Sequence, residues 1–172
     1  MTTRLHDAKR PVSTVLAGPY GHPFHPVLVT IPIGAWACSL IFDVSSRVVD
    51  NAGFLAQGSE WLLAIGILGA FAAAMIGFLD LVVIPSGTPA FRTGVAHMTM
   101  NLLITTAYMV NFVWRRGDYG TGAPVGVGPL VLNALGFSGL AVSGYLGGKL
   151  AYRYGVRVAG EADQAQGFTT AG

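Results

Sequence analysis

The chain has 172 residues, of which 52% are hydrophobic and only 10% charged, less than half the roughly 25% charged residues of an average soluble domain. A surface so poor in solvated groups excludes an ordinary water-soluble fold, and the mean hydropathy of +0.57 agrees. Ten Lys and Arg against eight Asp and Glu leave a net charge of +2 and form no basic stripe interleaved with aromatics, so nucleic acid is not an expected partner and the lipid bilayer is.

The first 26 residues carry Arg4, Lys9, Arg10, His22 and His25 together with four prolines. They lack the apolar core of a cleavable signal peptide, so the first helix is expected to direct insertion. Four apolar segments then follow, each near the roughly 20 residues that cross a bilayer: Val27 to Val44 with a tail to Val49, Trp61 to Ile84, Gly94 to Trp114, and Pro129 to Leu150. The joints carry turn chemistry: Asp50-Asn51-Ala52-Gly53 with Gln57-Gly58-Ser59-Glu60, Pro85-Ser86-Gly87-Thr88-Pro89, and Arg115-Arg116-Gly117-Asp118. Loops this short make consecutive helices antiparallel neighbours.

The expected fold is therefore all-α, an integral membrane four-helix bundle. It divides into an N-terminal segment (1–20), the transmembrane domain (21–158) and a small, polar tail (159–172) expected to be disordered. Arg4, Lys9, Arg10, Arg92, Lys149, Arg153 and Arg157 fall on one side, and Arg47, Arg115 and Arg116 on the other. The richer side is expected to face the cytoplasm of a plasma-membrane protein, with both termini inside.

Small residues recur every fourth position in two segments, as Gly69-Ala73-Gly77 and Gly139-Ser143-Gly147, the pattern that lets helices approach closely in lipid. Trp61 and Trp114 lie at expected helix ends, where aromatic belts sit. Cys38 is the one cysteine, so no disulfide forms within the chain.

Ionisable groups inside spans are costly and face the bundle interior. Two clusters are expected. One gathers His22, His25, Asp80, His97, Asn101, Thr105 and Lys149 near the cytoplasmic face. A weaker one, towards the other face, holds Asp43, Asn111 and Asn133, with Arg47 four residues after Asp43 as a local ion partner. In His22-Pro23-Phe24-His25-Pro26 each proline pushes the preceding histidine towards extended backbone, so two imidazoles stand on a stiff segment at the membrane boundary. No nucleophile elbow is present, and no catalytic residue stands out.

Three readings of the histidines remain open. His25 and His97 could ligate a haem iron from opposite faces, with Asp80 and Asn101 fixing the imidazole tautomers, His22 orienting a ligand or holding a propionate, and Arg92 and Lys149 pairing with propionates. His22, His25, His97 and Asp80 could instead hold a divalent ion such as zinc. Or the histidines could be structural, with His97 hydrogen-bonded to Asp80 in a subunit of a larger membrane complex.

His22-Pro23-x-His25-Pro26, Val29-x-x-Pro32-x-Gly34 and Asp43, then Gly77-x-x-Asp80, His97-x-x-x-Asn101 and Gly147-Gly148-x-Leu150-x-Tyr152-x-x-Gly155-Val156, together resemble a family of small predicted bacterial membrane proteins of unknown function. The resemblance runs from about Gly21 to Val158 and implies a four-helix membrane domain. Similar proteins are sometimes fused to Rieske-type iron–sulfur domains, which implies electron transfer. One cysteine does not supply such a centre, so any iron–sulfur partner is expected to be a separate protein. The favoured expectation is a haem b-binding electron-transfer subunit, with a divalent-metal site or a non-catalytic structural role as alternatives, and a homo-oligomer remains open.

Overall fold

In the computed structural model, which describes residues 8–10 and 21–168, every regular element among the described residues is helical. The elements are α1 (Phe24–Leu28), α2 (Thr30–Ser46), α3 (Gly53–Val82), α4 (Pro89–Arg115), α5 (Val127–Gly148), a π-helical turn (Lys149–Arg153) and α6 (Glu161–Gln166). Most of the expected segment 1–20 lies outside the described residues. Within the tail expected to be disordered, Glu161–Gln166 forms a short helix that buries no residue.

Three helices are long and apolar enough to cross a membrane: Phe24–Ser46, Gly53–Val82 and Val127–Arg153. They correspond to the expected first, second and fourth spans. The expected third span, within α4, is long enough but has a more polar composition, because His97, Asn101, Asn111 and Arg115 interrupt it. At about 1.5 Å per residue, the 30 residues of α3 reach roughly 45 Å, well past the roughly 30 Å of a hydrocarbon core.

α3 also begins earlier than expected. Gln57-Gly58-Ser59-Glu60 is not a joint but part of the helix, and Ser59 and Glu60 are buried at 0% and 3% exposure. The polar side chains that read as loop are satisfied inside the protein, as described below. Gly58 lies where a Cβ would come within 2.9 Å of the Phe42 ring, so it marks a close crossing of α2 and α3. Pro89 stands in the first turn of α4, where its missing N–H is harmless, and the Thr88 side chain accepts a hydrogen bond from Phe91 N.

α2 packs most extensively on α3, and α4 on α5; α3–α4 and α2–α5 contacts close the ring. Both small-residue rows lie at these seams. Gly69 faces Ile31 and Pro32, Gly77 faces the His25 ring, Gly139 faces Ile104 and Gly147 faces the His97 ring. The centre is apolar: Trp36, Leu63, Ile67, Ile104 and Tyr108 form one buried cluster, in which Trp36 and Tyr108 stack with centroids 3.9 Å apart. Outward-facing positions such as Leu68, Met75, Phe78, Leu103, Val113 and Leu135 are apolar and exposed, an inversion of soluble-protein patterning suited to lipid.

Trp36 seats only because residue 66 is glycine: a Cβ there would lie 2.2 Å from Trp36 Nε1. Overpacking of this kind costs about 1–3 kcal/mol. Gly66→Ala is therefore expected to lower the thermal midpoint in detergent. Gly144→Ala, which meets nothing within 4 Å, is expected to leave the midpoint unchanged or raise it slightly, since alanine is the better helix former.

Candidate functional site

Polar side chains gather at two levels of the interior, separated by the Trp36–Tyr108 stack. Seven residues separate Trp36 from Asp43 on α2, and Tyr108 from Arg115 on α4, roughly 10 Å along each helix. In the other direction eleven residues of α4 separate Tyr108 from His97, roughly 16 Å.

The first level is a closed network. Asp43, fully buried, forms a bidentate ion pair with Arg115: Nη1 donates to Oδ1 at 2.7 Å, and Nη2 donates to Oδ2. Ser59 Oγ donates to Oδ1 and Asn133 Nδ2 to Oδ2, the latter at 2.7 Å. Arg115 Nε donates to Asn111 Oδ1 at 2.8 Å, and Asn111 Nδ2 donates to Pro129 O at 2.9 Å. Asn133 Nδ2 also reaches Ser39 Oγ, an arrangement that leaves its Oδ1 buried without a hydrogen-bond partner.

The sequence pointed to Asp43, Asn111 and Asn133 as a group, and they do converge. Their cation was misjudged: Arg47 does not pair with Asp43 but donates to Val125 O at 2.7 Å, fixing the loop before α5. Arg115, read from the sequence as part of a turn, is the true partner at 5% exposure. The cue available was its i+4 spacing from Asn111, which continues the polar face of α4. Glu60 likewise pairs with Arg116 at 3.2 Å. Beside Glu60 and Arg115 lies a shallow recess of about 30 Å³, walled by Gly53, Tyr119 and Pro124, with room for a few water molecules.

The second level holds His25 and His97. Both are half-buried, with ring centroids 6.4 Å apart and planes at 86°. His25 Nδ1 lies 2.9 Å from Ala73 O, and His97 Nδ1 lies 2.9 Å from Ser143 O. A carbonyl oxygen only accepts, so each Nδ1 is a donor, and in the neutral form of the ring Nε2 is the nitrogen that accepts. Glycine makes both seats possible: a Cβ at Gly77 would come within 2.8 Å of His25, and one at Gly147 within 3.1 Å of His97. Asn101 donates to His97 O at 2.9 Å, and its Nδ2 stands 3.2 Å from His97 Nε2. Ser143 Oγ lies 3.0 Å from His97 Nδ1.

The other expected members of this cluster are placed differently. Asp80 does not hydrogen-bond His97; its Oδ1 lies 3.0 Å from Arg157 Nε. That contact is an ion pair whose N–H is not aligned as a hydrogen bond. His22 is half-buried on the segment before α1, and Arg92 is exposed on the first turns of α4. Lys149 Nζ stands 5.7 Å over the Tyr154 ring. Among the described residues, no group of three or more His, Cys, Asp or Glu is placed to hold a metal ion.

The architecture defines an all-helical protein with three helices fit to cross a membrane and two polar levels inside. Residues 21–160 match the family of predicted membrane proteins designated DUF2231, and the chain belongs to that family. No curated protein and no solved structure matches it.

The two levels differ in what removal of a group should cost. Breaking a buried pair by deleting one partner costs about 3–5 kcal/mol, because the remaining charge has no counter-ion. Arg115→Met is therefore expected to destabilise the detergent-solubilised protein severely. Asp43→Leu combined with Arg115→Met is expected to recover part of the loss, measured as the thermal midpoint of each variant under identical conditions. Equal loss in the single and double variants would show that the pair is not the source of the effect.

Proposed function

We propose that this chain is a four-helix transmembrane bundle of the plasma membrane, with α4 as its fourth span, and that His25 and His97 hold a b-type haem used in electron transfer. The α4 assignment rests on its faces. Thr105, Tyr108, Asn111 and Arg115 turn inward, whereas Leu102, Leu103, Val110 and Val113 are exposed. A helix with its polar residues satisfied inside and its apolar ones outside is stable in lipid despite an unremarkable average composition.

One observation carries the haem reading: the separation of the two imidazoles, each held through Nδ1 by a backbone carbonyl of another helix. The two ring centroids are 6.4 Å apart, and His25 and His97 are the residues that would hold the group. Anchoring one ring nitrogen so that the other is free to ligate is how proteins orient metal-binding histidines. Bound haem would supply one-electron chemistry, with its potential set by the axial ligands and their hydrogen bonds. The chain's contribution is to fix both tautomers, hold both rings on glycine seats and surround them with apolar helix. Arg92 and Lys149 are the cations proposed to meet propionates, and the redox partner is a separate protein.

A structural role is the second reading, favoured by the same pair. Edge-to-face rings with centroids at 4.5–7 Å also form ordinary packing contacts, and the 86° interplanar angle fits one. The absorption spectrum of purified protein, oxidised and then reduced with dithionite, separates the two. The haem reading expects a Soret band that sharpens on reduction, lost in both His25→Ala and His97→Ala. Folded protein that was supplied with haem and shows a flat visible spectrum would falsify it.

The excess of Lys and Arg at the histidine end, from Lys9 and Arg10 through Arg92, Lys149, Arg153 and Arg157, supports placing that end and both termini in the cytoplasm. A reporter active only in the cytoplasm, fused at the C-terminus, is expected to be active; an inactive fusion beside an active periplasmic reporter reverses the orientation.

A further inference from the structure

Arg157 sits where three distant parts of the chain meet. Among the described residues it is the one non-glycine with left-handed backbone, at φ 59°, a conformation that costs strain and persists only where surrounding contacts enforce it. Those contacts are specific. Its backbone N–H donates to Ala8 O at 3.1 Å. Its Nη2 donates to Gly21 O at 3.5 Å, and its Nε stands against Asp80. The side chain is only 8% exposed.

The two side-chain contacts bear on His25. Asp80 lies three residues beyond Gly77, one turn along the same face of α3, and Gly77 is the seat of the His25 ring. Gly21 lies four residues before His25, at the start of a segment stiffened by Pro23 and Pro26. A guanidinium that grips both the Asp80 carboxylate and the Gly21 carbonyl thus fixes the base of the His-Pro segment relative to the helix that receives the imidazole. His97 needs no such device, because it stands on the interior of α4 against α5.

We propose that Arg157 is the positioning residue of His25: by clamping Gly21 to Asp80 it holds the His25 ring in register with His97. The clamp is defined by geometry alone, and only its consequence for a bound haem rests on the reading above. It also assigns a role to the chain reversal after the π-helical turn, where Gly155 at φ 66° and the bond from Val156 N to Leu150 O at 3.0 Å swing Arg157 back towards α3.

The test is the reactivity of each histidine towards diethyl pyrocarbonate, followed by mass spectrometry on the full chain in detergent before haem is added. Arg157→Ala and Asp80→Asn are each expected to raise the His25 rate several-fold and leave the His97 rate unchanged. Arg157→Lys, which keeps the charge but not the two-armed grip, is expected to fall between Arg157→Ala and the parent. Arg153→Ala, at an exposed neighbouring arginine, is expected to change neither rate. If His25 keeps its parental rate in Arg157→Ala and Arg157→Lys, or if both histidines accelerate together, the positioning role is overturned. Loss of the haem reading alone shows as a parent protein without a haem spectrum, and the His25 rates still report on the clamp.

Discussion

The buried pair of Asp43 and Arg115 is the constraint on which the rest of the architecture depends. A carboxylate and a guanidinium are expensive to bury unless they are paired and hydrogen-bonded. They are tolerable here because almost every polar atom around them is used. Asp43 belongs to α2, Ser59 to α3, Arg115 and Asn111 to α4, and Asn133 to α5. Four helices therefore converge on one carboxylate, and the registers of all four are coupled. Sliding any helix by one residue would separate a donor from its acceptor in this network. Apolar packing alone does not impose this in lipid, where the hydrophobic effect supplies no preference for one helix over another. The Asn133 Oδ1 left without a partner is the residual mismatch of a network fitted around the two charges.

Glycine plays the complementary part. Gly66 admits Trp36, Gly136 the Tyr108 ring, Gly77 the His25 ring and Gly147 the His97 ring. The small-residue rows are thus not merely places where two backbones touch; they are seats for aromatic and imidazole rings offered by the neighbouring helix. At these four positions the helix propensity lost to glycine is offset by ring contacts that a Cβ would prevent.

The general architecture was legible in the sequence because lipid imposes a simple rule on length and apolarity, and three spans follow that rule. α4 satisfies it less well because its polar residues are spent on interior contacts, which an average over the segment counts against it. The clusters were legible to the level of which residues converge: Asp43 with Asn111 and Asn133, and His25 with His97. Partners were not. Asp43 passed over Arg47, one turn away on its own helix, for Arg115 on another, and Asp80 passed over His97 for Arg157. Local spacing identifies candidate partners on one helix surface, whereas the choice among them depends on which helix end arrives alongside. The start of α3 was missed for a related reason, since Ser59 and Glu60 carry loop chemistry until their partners Asp43 and Arg116 are known.

The two polar levels differ in how their groups are engaged. At the Asp43 level both carboxylate oxygens and the guanidinium are engaged within the protein. At the histidine level each ring is anchored by one nitrogen to a carbonyl and keeps an accepting nitrogen on the other. Asn101 approaches only one of these, at 3.2 Å. Both rings are half-buried, and neither Nε2 is among the buried atoms left without a partner. The Asp43 level ties four helices to one carboxylate, whereas the histidine level ties them in pairs through ring-to-carbonyl hydrogen bonds.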